Sequence, residues 1–156
     1  MHLRWTNWHS IDEASPHRGP ATYKIRLVSD GRARAIPRFF GPDAAGILAI
    51  GKATNMQSRR RRMGRGAARG RGHSEMNLLA ILGQHAAPSA MLSGAQYEVA
   101  YCVCETVEDA EYAEQLLLKK YLLTFGELPP LNSAIPGRYV LEGWQQAARI
   151  DAGSAF

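Results

Sequence analysis

The sequence predicts an α+β fold, a small central and mostly antiparallel sheet flanked by helices. Three observations lead there. Residues 22–28 and 96–104 alternate apolar and polar side chains, as half-buried strands do. Residues 107–124 carry a long apolar stripe at helical spacing, opened by a capping sequence. Strand-like and helix-like segments follow in the order β, β, β, α, α, β, α, α, with no internal repeat. The 156 residues, 46% of them hydrophobic, suit one domain spanning 1–156 with a single core. Within it, residues 1–20 read as an N-terminal arm and 141–156 as a C-terminal helix and tail.

Each element has a local reason. The arm carries Trp5, Trp8, Pro16, Gly19 and Pro20, so it should be irregular and anchored by its tryptophans. In residues 22–28, Tyr23, Ile25 and Leu27 alternate with Lys24 and Arg26. Ser29-Asp30-Gly31 is a tight-turn sequence, so a hairpin should return through 32–40, with a second turn at Gly41-Pro42-Asp43. Gly46 to Gly51 is an apolar run that reads as a buried strand. Thr54 and Asn55 are good N-caps for a helix to about Met63. Residues 64–73, GRGAARGRGH, read as a glycine-rich loop. Ser74 is placed to cap a helix ending near Gly83, and 84–95 reads as loop before the strand 96–104. Thr106 and Asp109 form a capping box for the helix 107–124, which Gly126 and Pro129-Pro130 close. A short helix around Leu141 to Ile150 ends the series.

Charge is distributed unevenly. The net charge is +5, yet no Asp or Glu occurs from Ala44 to Ser74, a stretch that holds Lys52, Arg59, Arg60, Arg61, Arg62, Arg65, Arg69 and Arg71. A solvated basic run is one reading. A phosphate-binding surface is the other, and the preference for Arg over Lys favours it, because a planar guanidinium matches phosphate in two places. The two cysteines, Cys102 and Cys104, suit neither a mutual disulfide nor a zinc pair and read as reduced strand residues of a cytoplasmic protein. The first residues lack a signal-peptide core, and no stretch approaches a membrane span in length.

On the helix 107–124, Ala110, Leu117 and Tyr121 form an apolar stripe that also contains Glu114. A carboxylate there is costly unless it is paired or holds a cation. It either reaches solvent or an arginine at the stripe edge, or it is a metal ligand. Glu111 lies off the stripe and should be an ordinary solvent-facing charge.

The segment Gly46-Ile-Leu-Ala-Ile-Gly-Lys-Ala-Thr-Asn55, followed by Arg59, resembles the second half of the GIY-YIG endonuclease motif. Lys52 and Arg59 fall at the motif's basic positions. Ala21-Thr22-Tyr23 stands for the first half, with only its tyrosine kept. Glu114, Leu117, Leu118 and Tyr121 match the family's E-x-x-L-L-x-x-Y helix, and Asn132 stands for its later asparagine. His73 lies where many members carry a histidine. The resemblance runs from about Tyr23 to Asn132, most of the chain.

Three departures accompany it. The glycine and isoleucine of the first half-motif are gone. The loop between the half-motifs and the stretch from Glu114 to Asn132 are longer than usual. Ala49 stands where the second tyrosine belongs, either as a natural variation or as an inactivating replacement.

The resemblance implies a divalent-metal-dependent DNA endonuclease in which Glu114 holds one Mg²⁺ or Mn²⁺. Arg59 would stabilise the developing charge, and Tyr23 with Lys52 would orient or activate water. His73 would accept a proton or touch phosphate, and Asn132 would position substrate or backbone. Arg60, Arg61, Arg62 and Arg65 are expected at the nucleic-acid backbone outside the cleavage point, or in solvent. The bland alternatives are a core Tyr23, a surface Lys52, a loop His73 and a turn Asn132. DNA is the expected partner ahead of RNA, with no membrane, and a homodimer is one open arrangement. The rival reading keeps the fold without turnover, a basic nucleic-acid-binding protein with Ala49 as its signature. A weaker third treats GRGAARGRG as an RGG-like RNA-binding segment.

Overall fold

The computed structural model describes residues 3–136 and 141–150. The tail at 151–156, expected beyond the last helix, lies outside them. The architecture is α+β, as expected: a five-stranded antiparallel sheet flanked by helices.

The elements in chain order are β1 (His9–Ser10), β2 (Ala21–Ser29), β3 (Arg32–Ala33), β4 (Ile47–Ala53), α1 (Met56–Arg69), α2 (Ser74–Leu82), α3 (Ala86–Leu92), β5 (Gln96–Val103), α4 (Val107–Phe125) and α5 (Leu141–Arg149). Strand β2 is the centre. One of its edges pairs with β5, which in turn pairs with β1. The other edge is shared by β4, along Ala21 to Arg26, and β3, at Val28 and Ser29. Tyr23 sits opposite Gly51 and Ile25 opposite Ala49, so these four share a face.

Two apolar cores fill the two faces. One gathers Tyr23, Ile25, Ala49 and Val99 with Met56 and Met63 of α1 and Met76 of α2. The other gathers Ile47 and Ile50 with Leu116, Leu117, Leu118 and Tyr121 of α4 and Ala147 of α5.

Covering both faces corrects the half-buried expectation for residues 22–28. Lys24 is only 1% exposed, because the arm straps across that face. Trp5 bridges to Cys102, and β1 adds a strand to the sheet. The Lys24 Nζ lies 3.6 Å from the centroid of the Trp5 ring. Burial lowers its pKa to about 7.

The hairpin turn forms as expected, with Asp30 and Gly31 both at positive φ (51° and 73°). The returning strand does not extend through residue 40, since β4 occupies the rest of that edge of β2. Asp43, at the second turn, is fully buried. Its carboxylate accepts from the backbone N–H groups of Ala45, Gly46 and Ile47 and from the Tyr121 hydroxyl at 2.8 Å, which ties the entry of β4 to α4.

Helix α1 corrects a larger expectation. Asn55 caps it, its side chain accepting from the Ser58 N–H at 2.9 Å. The helix then runs through Gly64 and Gly66 to Arg69, over residues expected to be loop. Glycine weakens a helix interior by about 1 kcal/mol relative to alanine, but here packing requires it. A Cβ on Gly66 would meet the Cβ of Met76 at 2.8 Å, so the missing side chain lets α2 pack close. Gly64 likewise faces Asp12 of the arm. The stop comes at Gly70, in the left-handed conformation.

The N-cap of α2 is His73 and not Ser74. Helix α3 occupies part of the expected 84–95 loop. Helix α4 forms behind its capping box, Thr106 and Asp109 bonding reciprocally, and ends at Gly126. No described helix is long and apolar enough to cross a membrane.

Candidate active site

Strand β2 delivers Tyr23, and β4 delivers Ala49, Gly51 and Lys52. Gly51 must be glycine, because the Tyr23 phenol lies across its backbone and a Cβ there would run into the hydroxyl. The hydroxyl sits 3.1 Å from His73 Nε2, a bond linking residues 50 apart in sequence. His73 is 2% exposed and its Nδ1 lies 3.0 Å from Glu75 Oε2, in the first turn of α2. The separation is that of a hydrogen bond, although the ring N–H is not aimed squarely at the oxygen.

From α1, the Arg59 guanidinium lies 5.9 Å from the Tyr23 ring centroid. The Nε atoms of Arg59 and Arg62 are closed off from solvent, and neither has a hydrogen-bond partner. The Nε of Arg60 shares that condition.

Glu114 arrives from α4, which packs on the other face of the sheet. Lys52, the last polar residue of β4, pairs with Glu111 at 2.5 Å. One turn further along α4, Glu114 feels Lys52, Glu111, Glu75 and Arg59 together. Burial pushes its pKa up to about 7, with Lys52 and Arg59 opposing the shift and Glu111 and Glu75 adding to it. Tyr23 is pushed well above the usual phenol range, chiefly by burial, with Arg59 opposing. Burial alone would raise Glu75, but hydrogen bonds from His73 and Ser74 outweigh it and bring the carboxyl to about 2.

Tyr23 therefore feels the charges of Arg59 and Glu114 and bonds His73. Asn132 does not reach for the cleft. Its side chain accepts from the Ile50 N–H at 2.9 Å and donates to the Ile50 carbonyl at 2.8 Å. With Leu131 donating to the Leu48 carbonyl, it covers the open edge of β4 as a strand would. Its place is at the backbone.

Ala49 is fully buried among core residues of the Tyr23 face, so its methyl leaves no gap open to solvent. Glu111 faces solvent as expected, its side chain 43% exposed, and it also pairs with Lys52.

The arginines divide. Arg60 corrects its expected place in solvent or on a nucleic-acid backbone. It is 2% exposed and donates to the Ser10 carbonyl, so it fastens the arm to α1. Arg62 turns toward Tyr23, on which its charge acts. Arg61 and Arg65 are exposed.

Among the described residues, no group of three His, Cys, Asp or Glu side chains could hold a metal ion. Of the carboxylates near the end of β4, Glu114 is the one whose pKa is raised, chiefly by burial, and it is the residue that could hold a cation, since Mg²⁺ commonly takes one or two carboxylates with water and phosphate oxygens. A cavity of about 570 Å³ lies elsewhere, between residues 11–14 and α1, and neither Tyr23 nor Glu114 lines it. A phosphodiester backbone lies across a surface and does not need an enclosed chamber.

Sequence reasoning missed Glu75, and it placed Arg62 outside the cleavage point rather than near Tyr23. Nothing in their own spacing marks them, since each acquires meaning only from α1 and α2 folding over Tyr23. No protein-family model matches the chain, and neither a curated protein nor a solved structure matches it.

Proposed function

We propose that the protein is a divalent-metal-dependent endonuclease that hydrolyses DNA phosphodiester bonds in the cleft around the end of β4. The observation that carries this reading is that Arg59 and Glu114, 55 residues apart in sequence, both act on the charge of Tyr23, whose hydroxyl bonds His73. Resemblance to the GIY-YIG endonucleases supports the same assignment.

Glu114 would hold the Mg²⁺ or Mn²⁺, which when bound supplies Lewis acidity toward a phosphate oxygen. Arg59, joined by Arg62, binds the phosphate and offsets its growing negative charge, both guanidinium charges acting at Tyr23. Tyr23 orients the attacking water and His73 accepts its proton. Lys52 is occupied by Glu111, so it tunes the field at Glu114 and leaves water activation to Tyr23. Asn132 holds β4 in place, and with it Gly51 beneath the phenol.

One observation favours a second reading. Ala49 puts a sealed methyl where the resemblance calls for a phenol, which suits a basic nucleic-acid-binding protein without turnover. Nicking of supercoiled plasmid with Mg²⁺ or Mn²⁺ separates the two. The nuclease reading expects cleavage that falls by about 10²–10³ in Arg59→Ala and in Glu114→Ala. Ala49→Tyr should raise cleavage while lowering stability by about 1–3 kcal/mol through overpacking. Binding without nicking in the unaltered protein favours the second reading. Full cleavage by Glu114→Ala removes the carboxylate from the mechanism.

A further inference from the structure

We infer that Glu75 is a positioning residue that selects the tautomer of His73, so that His73 Nε2 takes the Tyr23 proton and the three side chains form one proton route. The inference deepens the proposed nuclease reading and rests on it for its catalytic part. The geometric part stands on the structure alone.

The geometry is a chain of three. Glu75 Oε2 lies 3.0 Å from His73 Nδ1, and His73 Nε2 lies 3.1 Å from the Tyr23 hydroxyl. The imidazole side chain is wholly removed from solvent, so both ring nitrogens depend on these neighbours. A carboxylate can only accept. At 3.0 Å from Nδ1, its charge favours the proton there even without a well-aimed bond, which leaves Nε2 as a lone pair facing the phenol. Free imidazole side chains favour the opposite tautomer, so the carboxylate is what makes the difference.

Glu75 is itself held. It sits in the first turn of α2, where the helix dipole favours an anion, and the Ser74 hydroxyl donates to its Oε2 at 2.6 Å. The charges facing the route are Arg59 and Arg62 from α1 and Glu114 from α4.

The need for such a route follows from Tyr23. Burial holds its hydroxyl above the range where it ionises unaided, so the phenol serves as a base only by passing its proton on as it receives another. In the step that results, water gives a proton to the phenolic oxygen while the phenol's own proton moves to Nε2. The water oxygen bonds to phosphorus, the bond from phosphorus to the leaving oxygen breaks, and that oxygen takes a proton from solvent. The imidazolium left behind faces the Glu75 carboxylate and later returns its proton to solvent.

The test uses the full chain with ¹⁵N-labelled histidine. Long-range ¹H–¹⁵N correlation of neutral His73 should show the proton on Nδ1 in the unaltered protein. In Glu75→Ala and in Glu75→Leu, each of which removes the acceptor, the Nε2–H form should appear. Either variant suffices should the other fail to fold. Plasmid nicking read beside it should lose about tenfold to a hundredfold in kcat with KM unchanged.

A proton on Nε2 in the unaltered protein overturns the inference, as does an unchanged tautomer in the variants. A changed tautomer with undiminished kcat overturns the proton route. Absence of nicking in the unaltered protein counts against the nuclease reading instead, and the spectra still decide the bond between Glu75 and His73.

Discussion

Glu114 carries the conflict at the centre of the cleft. Its place on an apolar stripe was legible in the sequence, because Ala110, Leu117 and Tyr121 fall at helical spacing around it. The size of the conflict was not legible, because it depends first on how far the fold buries the carboxylate, then on Lys52 and Arg59 answering it and on Glu111 and Glu75 adding negative charge. The sign has a consequence. Raised from 4.5 to about 7, the group holds its proton more tightly in the folded chain than in the unfolded one. Its contribution to stability is complete below the unfolded value and is lost as the pH rises through the folded one. Glu114→Gln removes that dependence, so melting temperatures should fall less from about pH 5 to about pH 7 in the variant than in the parent. Near neutral pH, added Mn²⁺ should raise the melting temperature of the parent and leave Glu114→Gln unmoved. An equal response in both would place the cation elsewhere.

Helices α1 and α4 differ in how far local rules reach. Helix α4 is announced by residues that touch each other within a single turn. The Thr106 hydroxyl accepts from the Asp109 N–H at 3.0 Å, and the Asp109 carboxylate accepts from the Thr106 N–H at 3.1 Å. Because α4 carries Glu114 and packs Leu116, Leu117 and Leu118 into a core, its cap matters to the whole chain. Thr106→Ala should cost about 1 kcal/mol, read as a lower denaturation midpoint at constant m-value. Thr106→Ser should restore most of it. Helix α1 has an equally readable start at Asn55 but an unreadable end. Gly64 and Gly66 look like breakers until the arm and α2 are seen lying against them. The glycine-rich segment is therefore a packing surface through Arg69 and not a loop over that span, with Gly70 to Gly72 beyond the helix.

Over the molecule as a whole, the basic cluster resolves into three populations. Arg59 and Arg62 turn into the cleft, Arg60 is spent on the arm, and Arg61 and Arg65 remain outside with Arg69 and Arg71. Only the outer set is free to follow a polyanion backbone. Measured as the slope of log affinity for duplex DNA against log salt, Arg61→Ala with Arg65→Ala should flatten the dependence by about 1.8, or about 0.9 for each phosphate no longer neutralised. Arg60→Ala should leave the slope alone and lower the unfolding midpoint, since it cuts the tie to Ser10. A flattened slope in Arg60→Ala would mean that the arm lifts away on binding.

What the sequence determined by itself is whatever is encoded among neighbours. That covers the alternation in β2 and β5, the capping box and stripe of α4, the cap of α1, the Asp30-Gly31 turn, and the spacing of Ala49, Lys52 and Arg59 along one strand and helix. Only the tertiary structure decided which faces are covered and which distant groups meet. The arm buries Lys24, β4 shortens the hairpin, α2 makes a helix interior of Gly66, and the fold sets Glu75 behind His73 behind Tyr23. The physical reason is range. Propensity, capping and periodicity act within a few residues, whereas desolvation and hydrogen bonding between elements depend on coordinates that no local stretch of chain contains.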